Sequence, residues 1–199
     1  LMKNKFTFNI LIFFFYSVLT VFTNSDEFIF DTSEINILEN GEVIEATNGT
    51  ATTIDGYIKI DAKKFYYDKK KLLLDASGDV KVDDLKNKVL IKSEYISYNN
   101  KDRTISSNEN SILEDDLGNI FLLENFIYTL DDELIKLGKS KVIDYEKNTY
   151  NLDKAFINLK SKKLLGKDIS IDFNNKSFQK DNEPRLKGNS IVSDGENTV

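Results

Sequence analysis

The sequence contains no cysteine and no histidine among its 199 residues, and only one proline, Pro184. Without cysteine no disulfide framework can form. Without both residues there is no zinc finger, no Ser-His-Asp triad and no Cys-His pair. These absences exclude the commonest hydrolytic and zinc-dependent sites, so we predict neither a metal site nor a cofactor.

Positive charge is also scarce, since 27 Lys and Arg face 33 Asp and Glu for a net charge of −6. Nucleic-acid binding needs a clustered basic surface. The lysines at 69–71 lie beside Asp68 and Asp75 and are typical of a solvated edge. We therefore expect no nucleic-acid partner. The 14 Phe and 9 Tyr supply large apolar side chains for one domain with a core.

Residues 1–25 have the order of a secretory signal peptide. Lys3 and Lys5 form a positive start, an apolar run follows from Ile10 to Phe22, and small polar residues then lead into the acidic chain at Asp26. The run is shorter than the roughly 20 residues of a spanning helix. An uncleaved N-terminal anchor is the alternative, because no clean Ala-x-Ala site is present.

A repeat of about thirty residues follows this segment. Tyr67, Tyr98 and Tyr128 recur at nearly constant spacing, and each unit reads as a strand, a turn of Asn, Asp and Lys, and further strands. Inside each unit apolar and polar residues alternate, as in Ile58, Ile60 and the residues between them. Turn signals every 8–12 residues favour an all-β sandwich, roll or barrel.

Alternation buries one face of every strand, which leaves two interpretations of the interior. It is either a core filled by its own side chains or an apolar groove that stays open to a ligand. The residues alone favour the filled core.

The phrase DNEPRLKGNS at 181–190 differs from the repeat, and together they carry a resemblance. The unit over residues 28–180 resembles the OstA-like periplasmic domain of the lipopolysaccharide transport families LptA, LptC and LptD. The junction motif Glu183-Pro184-Arg185-Leu186-Lys187-Gly188 is similar to the segment that links the N-terminal domain of the LptD family to its barrel. The expected domains are a signal peptide at 1–25, an OstA-like domain at 26–180 and a junction at 181–199.

The resemblance implies a twisted antiparallel β-jellyroll, two facing sheets folded like a taco, that carries lipid A acyl chains between them. It also implies lipopolysaccharide as ligand, no enzymatic activity, and a place in the periplasm and at the outer membrane. The residues expected to line the groove are Ile58, Ile60, Phe65, Tyr67, Leu72, Leu74, Val80, Val82, Tyr98, Tyr128, Leu137, Ile157, Leu159, Ile169, Ile171 and Phe173.

The resemblance further implies partners. Such domains join head to tail through sheet edges, and an unpaired edge invites another sheet. The docking edge is expected near residues 28–37, with Phe28, Phe30, Ile35 and Ile37. An LptA-like bridge protein would add there, and an outer-membrane lipoprotein would join if a barrel follows.

The chain departs from the LptD pattern because it contains neither a barrel nor cysteine. We interpret it as a fragment of such a protein. A free-standing LptA-like bridge protein is the alternative.

Two other functional classes are alternatives to a transport protein. A glycan-cleaving enzyme would use paired carboxylates such as Asp115-Asp116 or Asp131-Asp132. These pairs stand in turn contexts without an aromatic cleft, which disfavours catalysis. A structural surface repeat would carry no lipid. Calcium in the Asp-rich turns is disfavoured because no D-x-D-x-D-G loop is present.

Overall fold

The computed structural model describes residues 27–174 and 184–193. In this part of the chain fifteen β-strands pair antiparallel throughout, with one short 3-10 turn at Glu39–Gly41. The strands are β1 (Phe28–Leu38), β2 (Val43–Thr53), β3 (Ile58–Asp68), β4 (Leu73–Asp84), β5 (Val89–Asn99), β6 (Thr104–Ser107), β7 (Ser111–Glu114), β8 (Ile120–Leu123), β9 (Phe126–Thr129), β10 (Leu134–Leu137), β11 (Ser140–Ile143), β12 (Thr149–Leu152), β13 (Lys154–Asn158), β14 (Lys163–Asp172) and β15 (Arg185–Ser193).

Asp and Asn side chains close the turns between these strands. The Asp84 carboxylate accepts the backbone N–H groups of Lys86 and Asn87, and Asp115 does the same for Leu117 and Asn119. Such Asx turns replace the ladder bonds that the chain loses as it reverses. The Asn and Asp signals of the sequence therefore mark strand ends correctly.

Every crossing of the sheet bends near its middle. In β1–β5 the bend falls at Ser33, Asn48, Lys63, Gly78–Asp79 and Glu94. At each single-residue bend the inward-facing residues change between odd and even positions, whereas the two-residue bend of β4 keeps them at even positions on both sides. Later crossings break there completely, at 108–110, 124–125, 138–139 and 153, and β14 bends at Asp168. We call this column of bends, about 15 residues apart along the chain, the spine.

Close backbone approach at the spine selects glycine. A side chain at Gly49 would overlap the backbone carbonyl of Asp31 on the neighbouring strand. Only glycine lets the two backbones meet there.

The spine divides the sheet into two leaves that face each other. The first leaf contains residues 28–32, 49–53, 58–62, 80–84, 89–93, 169–172 and 185–188 together with β7, β8, β11 and β12. The second leaf contains residues 34–38, 43–47, 64–68, 73–77, 95–99, 163–167 and 190–193 together with β6, β9, β10 and β13.

One hydrophobic cluster lies between the leaves. Phe28 of the first leaf packs edge-on against Tyr67 and Tyr98 of the second, with ring centroids 5.1 and 5.4 Å apart. The predicted all-β, LptA-like jellyroll is confirmed. The thirty-residue repeat corresponds to two crossings of the sheet, one in each direction.

Candidate functional site

The space between the leaves is the candidate site, because the predicted groove residues meet there. All but two of the sixteen are buried inward-facing members of the single core cluster: Ile58, Ile60, Phe65, Tyr67, Leu74, Val80, Val82, Tyr98, Tyr128, Leu137, Ile157, Leu159, Ile169 and Ile171. Their alternation with polar residues was a sufficient signal. Whether they contact a lipid remains a prediction.

Leu72 and Phe173 differ from this set. Leu72 lies in the turn before β4, half-buried and with a φ of 54°, so the pairing of Leu72 with Leu74 on one face is wrong. The strand begins at Leu73, one residue later than the alternation predicts. Phe173 follows the end of β14 and packs half-buried against the core.

In the N-terminal half the interior is filled by aromatic rings. Tyr67, Tyr98 and Tyr128 are almost fully buried, and Phe30 packs against Phe65 at a centroid distance of 6.0 Å. Edge-on aromatic contacts of this kind add to the stabilisation from burial. The interpretation as a filled core therefore holds for this half.

The tyrosine hydroxyls point toward the open side of the two leaves. Tyr98 donates to Asn100 Oδ1 at 3.0 Å and accepts from Arg103 Nη1 at 3.1 Å. Burial, the largest cause, raises the pKa of Tyr98 to about 12, with Arg103 acting in the opposite direction. Tyr128 donates to Asp84 Oδ2 at 3.0 Å, and burial together with the Asp84 charge raises the pKa of Tyr128 as well. Both hydroxyls thus stay neutral at physiological pH.

We call this open side the mouth. Turns of both leaves line it. They are residues 54–57, 85–88, 115–119 and 144–148 of the first leaf and residues 69–72, 100–103, 130–133 and 159–162 of the second leaf. Polar contacts close its N-terminal half. Arg103 lies 3.6 Å from an Asp55 oxygen across the mouth, and Asn87 Nδ2 donates across it to the Leu130 carbonyl at 3.1 Å. Asn100 Nδ2 donates to Glu27 Oε2 at 2.9 Å.

In the C-terminal half a cavity of about 180 Å³ remains between the leaves. Asp115, Asn119, Asp144 and Lys162 form its rim at the mouth. One exposed ion pair spans the rim, with Lys162 Nζ 3.4 Å from Asp116 Oδ1. The apolar residues of the cavity wall are Phe121, Val142, Leu152, Ile157, Leu159, Leu164 and Ile191.

Sequence reasoning found Ile157 and Leu159 but missed the other five apolar residues of this wall. Phe121, Val142 and Leu152 lie in strands of only four residues, each too short to display a period of two. The bends and the turns each recur about every 15 residues, and this spacing would have located the short strands that lie between a bend and a turn.

A larger groove, of about 850 Å³, lies outside the leaves. It follows the spine on the outer face of the first leaf, where outward residues such as Lys141 and Lys187 meet spine residues such as Glu124 and Asp153. This groove is larger than the cavity between the leaves, but its lining mixes apolar side chains with charged ones. The smaller cavity is therefore the candidate for an apolar ligand.

The inner face is uncovered at the N-terminal edge of the sheet. Ile35 and Ile37 are 46% and 66% exposed, although they pair with the buried inner residues Ala46 and Ile44. Cross-strand partners share a face, so both isoleucines belong to the inner row. Phe28 is buried and Phe30 half-buried, and β1 pairs only with β2 among the described strands.

At the other end β15 pairs with β14. Arg185, Leu186, Lys187 and Gly188 of the predicted junction motif begin this strand, Pro184 precedes it, and Glu183 lies outside the described residues. The sheet thus extends to Ser193, beyond the predicted boundary at 180. Because Leu186 pairs with the inner residue Ile171 yet is 47% exposed, the inner face is uncovered here as well.

The predicted signal peptide at 1–25 lies outside the described residues. Over 27–174 and 184–193, no helix has the length and apolarity to cross a membrane. In the same residues no group of three potential metal ligands occurs. The carboxylates considered for catalysis have structural contacts, since Asp115 closes a turn and Asp131 Oδ1 lies 3.7 Å from Arg103 Nε.

Comparison with known proteins adds a structural likeness. No protein-family profile and no curated protein sequence matches the chain. The structure is similar to the crystal structure of LptH, the LptA-homologous periplasmic component of the conserved lipopolysaccharide transport device from Pseudomonas aeruginosa, with a TM-score of 0.50 and 14% identity, covering 66% of this chain and 93% of that chain. At this identity the likeness concerns the fold, and it is an LptA-like β-jellyroll that the chain has.

Proposed function

We propose that this chain is a periplasmic lipopolysaccharide transport domain that receives lipid A acyl chains between its leaves and passes them toward the outer membrane. The observation that carries the proposal is the apolar cavity between the leaves. The same inner face is uncovered at both ends of the sheet. Each methylene buried there stabilises the complex by about 0.8 kcal/mol.

The size of the cavity determines how a lipid would enter. Pockets for small ligands span roughly 300–1,000 Å³, whereas this cavity has about 180 Å³. An acyl chain therefore enters only when the leaves part at the mouth. The exposed Lys162–Asp116 pair is the weakest obstacle to parting, since exposed ion pairs contribute about 0–1 kcal/mol.

The two uncovered edges support a chain of such domains. Among the described strands, β1 and β15 form the two edges and offer backbone groups at opposite ends of the sheet. Strand addition by an LptA-like bridge protein at β1 would pair these groups and cover Ile35 and Ile37. The acyl chains would then cross from one domain to the next along a continuous inner face.

Among transport proteins we favour the N-terminal domain of an LptD-type assembly protein, on the strength of the motif at 183–188. In that case an outer-membrane lipoprotein is a further partner. The coding sequence after codon 199 distinguishes this from a free-standing LptA-like protein. Amphipathic strands of about ten residues would indicate a barrel, and a stop codon would favour the bridge protein.

A cavity-filling substitution tests lipid binding. In the full chain, Val142→Phe places a ring in the cavity, because Val142 lines it and is 8% exposed. Lys141→Phe adds the same ring to the outer face of the same strand and is the matched control. We expect the first variant to lose lipopolysaccharide binding and the second to keep it, with both unfolding near the wild-type temperature.

Equal binding by the two folded variants would refute the proposal. A wild-type chain that binds no lipopolysaccharide in solution and carries none on purification would instead favour the structural surface repeat.

A further inference from the structure

The outer face of the second leaf carries a row of exposed apolar side chains across its C-terminal strands. Ile127, Phe156, Leu165 and Val192 are 43–53% exposed. The strand register places Phe156 opposite Leu165 and Leu165 opposite Val192, with Lys136 between Ile127 and Phe156. The four side chains and Lys136 therefore lie in one row across the outer face, separate from the inner face and the cavity.

Lysines lie within this row and on both sides of it. Lys136, Lys154, Lys163 and Lys167 are exposed on the same face, since each alternates with buried inner residues. Among the described residues none of the four makes an ion pair with a carboxylate. Lys136 Nζ instead lies 6.0 Å from the centre of the Phe156 ring.

Acidic residues are absent from the outward positions of these strand segments, 126–129, 134–137, 154–158, 163–167 and 190–193. Among the residues that the structure describes, the nearest carboxylates along the chain lie outside the face, at the spine in Asp153 and Asp168 and at the mouth in Glu133. In a chain of net charge −6, this face is therefore locally cationic and apolar. We call it the basic face.

We propose that the basic face docks on an anionic phospholipid bilayer. Peripheral attachment to such a surface depends on exposed apolar area together with attraction between lysines and anionic headgroups. Lysine side chains hold their charge at headgroup level while their methylenes lie along the apolar row. Both components are present on this face.

The extent of the face favours a bilayer over a stable protein partner. Five strands about 4.8 Å apart and roughly five residues long cover about 400 Å². A stable protein interface buries about 800 Å² on each side. A lipid surface needs no shape-matched partner and tolerates a small, flat contact. Docking there would hold the mouth and the cavity beside the membrane.

Single-cysteine labelling of the full chain tests this, because the sequence has no cysteine of its own. An environment-sensitive fluorophore is placed by Leu165→Cys on the basic face, or by Ile112→Cys on the outer face of the first leaf as the control. These two native side chains are 53% and 46% exposed. Each protein is mixed with phosphatidylcholine vesicles or with vesicles that also contain phosphatidylglycerol, both free of lipopolysaccharide.

We expect a blue shift only for the label at position 165 and only with anionic vesicles. A lysine near an anionic surface strengthens binding about fivefold. Replacing the register partners Lys154 and Lys167 by glutamine should therefore lower the partition coefficient about 25-fold. Lys141→Gln with Lys187→Gln, on the outer face of the first leaf, changes net charge equally and should leave it unchanged.

The proposal is overturned if the label at 165 does not respond, or if both labels respond alike, as they would when only residues 1–25 insert. A shift without vesicles that grows with protein concentration would also overturn it and assign the face to contacts between copies of the chain. These outcomes do not bear on lipopolysaccharide binding in the cavity, because no lipopolysaccharide is present.

Discussion

At the scale of single residues, the tyrosines of the interior combine packing with polar bonding. Their regular spacing and alternation predicted Tyr67, Tyr98 and Tyr128 on one apolar face, and in the structure all three side chains are almost fully buried between the leaves. Their hydrogen-bond partners were not predictable. Asp84 reaches Tyr128 across 44 residues of sequence, and only the facing of the two leaves brings them together.

Tyr128→Phe tests the value of this buried hydrogen bond. The Tyr128 hydroxyl donates to the Asp84 carboxylate, and bonds to charged groups contribute about 1.5–3 kcal/mol. Asp84 keeps Asn87 as a donor at 2.8 Å, so the variant should lose about 1–2 kcal/mol of unfolding free energy. Urea unfolding measures it.

Tyr66→Phe is the matched control, because that ring is 41% exposed. It should change the free energy of unfolding by less than about 0.5 kcal/mol. If both variants unfold at the same urea concentration, the Tyr128–Asp84 bond contributes nothing.

Leu72 shows where residue patterns fail. Three leucines in a row, Leu72–Leu74, fit either parity, and the sequence does not say where the turn ends. The structure resolves this through a left-handed backbone at Leu72, which delays the strand by one residue.

At the scale of elements, the turns on both sides of the mouth share one backbone feature. The last or second-to-last residue of these turns has a positive φ at Leu72, Lys88, Arg103, Gly118, Glu133, Lys147 and Lys162, at intervals of about 15 residues. Six of these seven residues are not glycine, so no residue type marks the 15-residue spacing in the sequence. The sequence therefore showed only the repeat of about thirty residues. A left-handed conformation costs a residue with a side chain about 1–2 kcal/mol.

Opposite substitutions at two of these turns test that cost. Gly118→Ala should lower the free energy of unfolding by about 1 kcal/mol, because its φ is 79°. Lys88→Gly, at a φ of 55°, should raise it by about 0.5–1 kcal/mol, since the gain offsets the entropy cost of glycine. Thermal unfolding of both variants checks the signs.

Nothing lies within 4 Å of the position of an added Cβ at Gly118, so crowding does not confound the first change. Two changes of the same sign would show that φ strain is not what distinguishes these turns.

Strand existence was more predictable than strand division. Strands such as Ile58–Asp68 were evident, because apolar and polar residues alternate on each side of the bend. The position of the spine was not predictable, because Ser33, Asn48, Lys63 and Glu94 have different types of side chain. Their common property is a position halfway between two turns.

At the scale of the whole molecule, the two halves of the interior differ. Aromatic rings fill the N-terminal half and polar bonds close its mouth, whereas the C-terminal half retains the cavity and one exposed ion pair. The sequence left both interpretations of the interior open. The filled core describes the N-terminal half, whereas the C-terminal half retains an unfilled cavity. This difference follows from Phe and Tyr in the early repeats and smaller residues in the later ones.

Holding the mouth closed should therefore block lipid entry. Asp116→Cys with Lys162→Cys, joined by a short bis-maleimide, links the turns on either side of the cavity. We expect the linked protein to bind less lipopolysaccharide than the unlinked one. Linking Glu124→Cys to Lys139→Cys at the spine is the control and should have no effect, because that pair does not span the mouth. Unchanged binding after linkage at the mouth would mean that acyl chains enter without parting of the leaves.

The central claim is that acyl chains lie between the leaves, and photo-crosslinking in living cells tests it most directly. A photoreactive amino acid replaces Leu152, which lines the cavity at 2% exposure, or Leu165, which is 53% exposed on the outer face. Lipopolysaccharide adducts should form at position 152 and be at background level at 165. Adducts at 165 alone, equal adducts at both positions, or none at 152 in a folded protein would contradict the account.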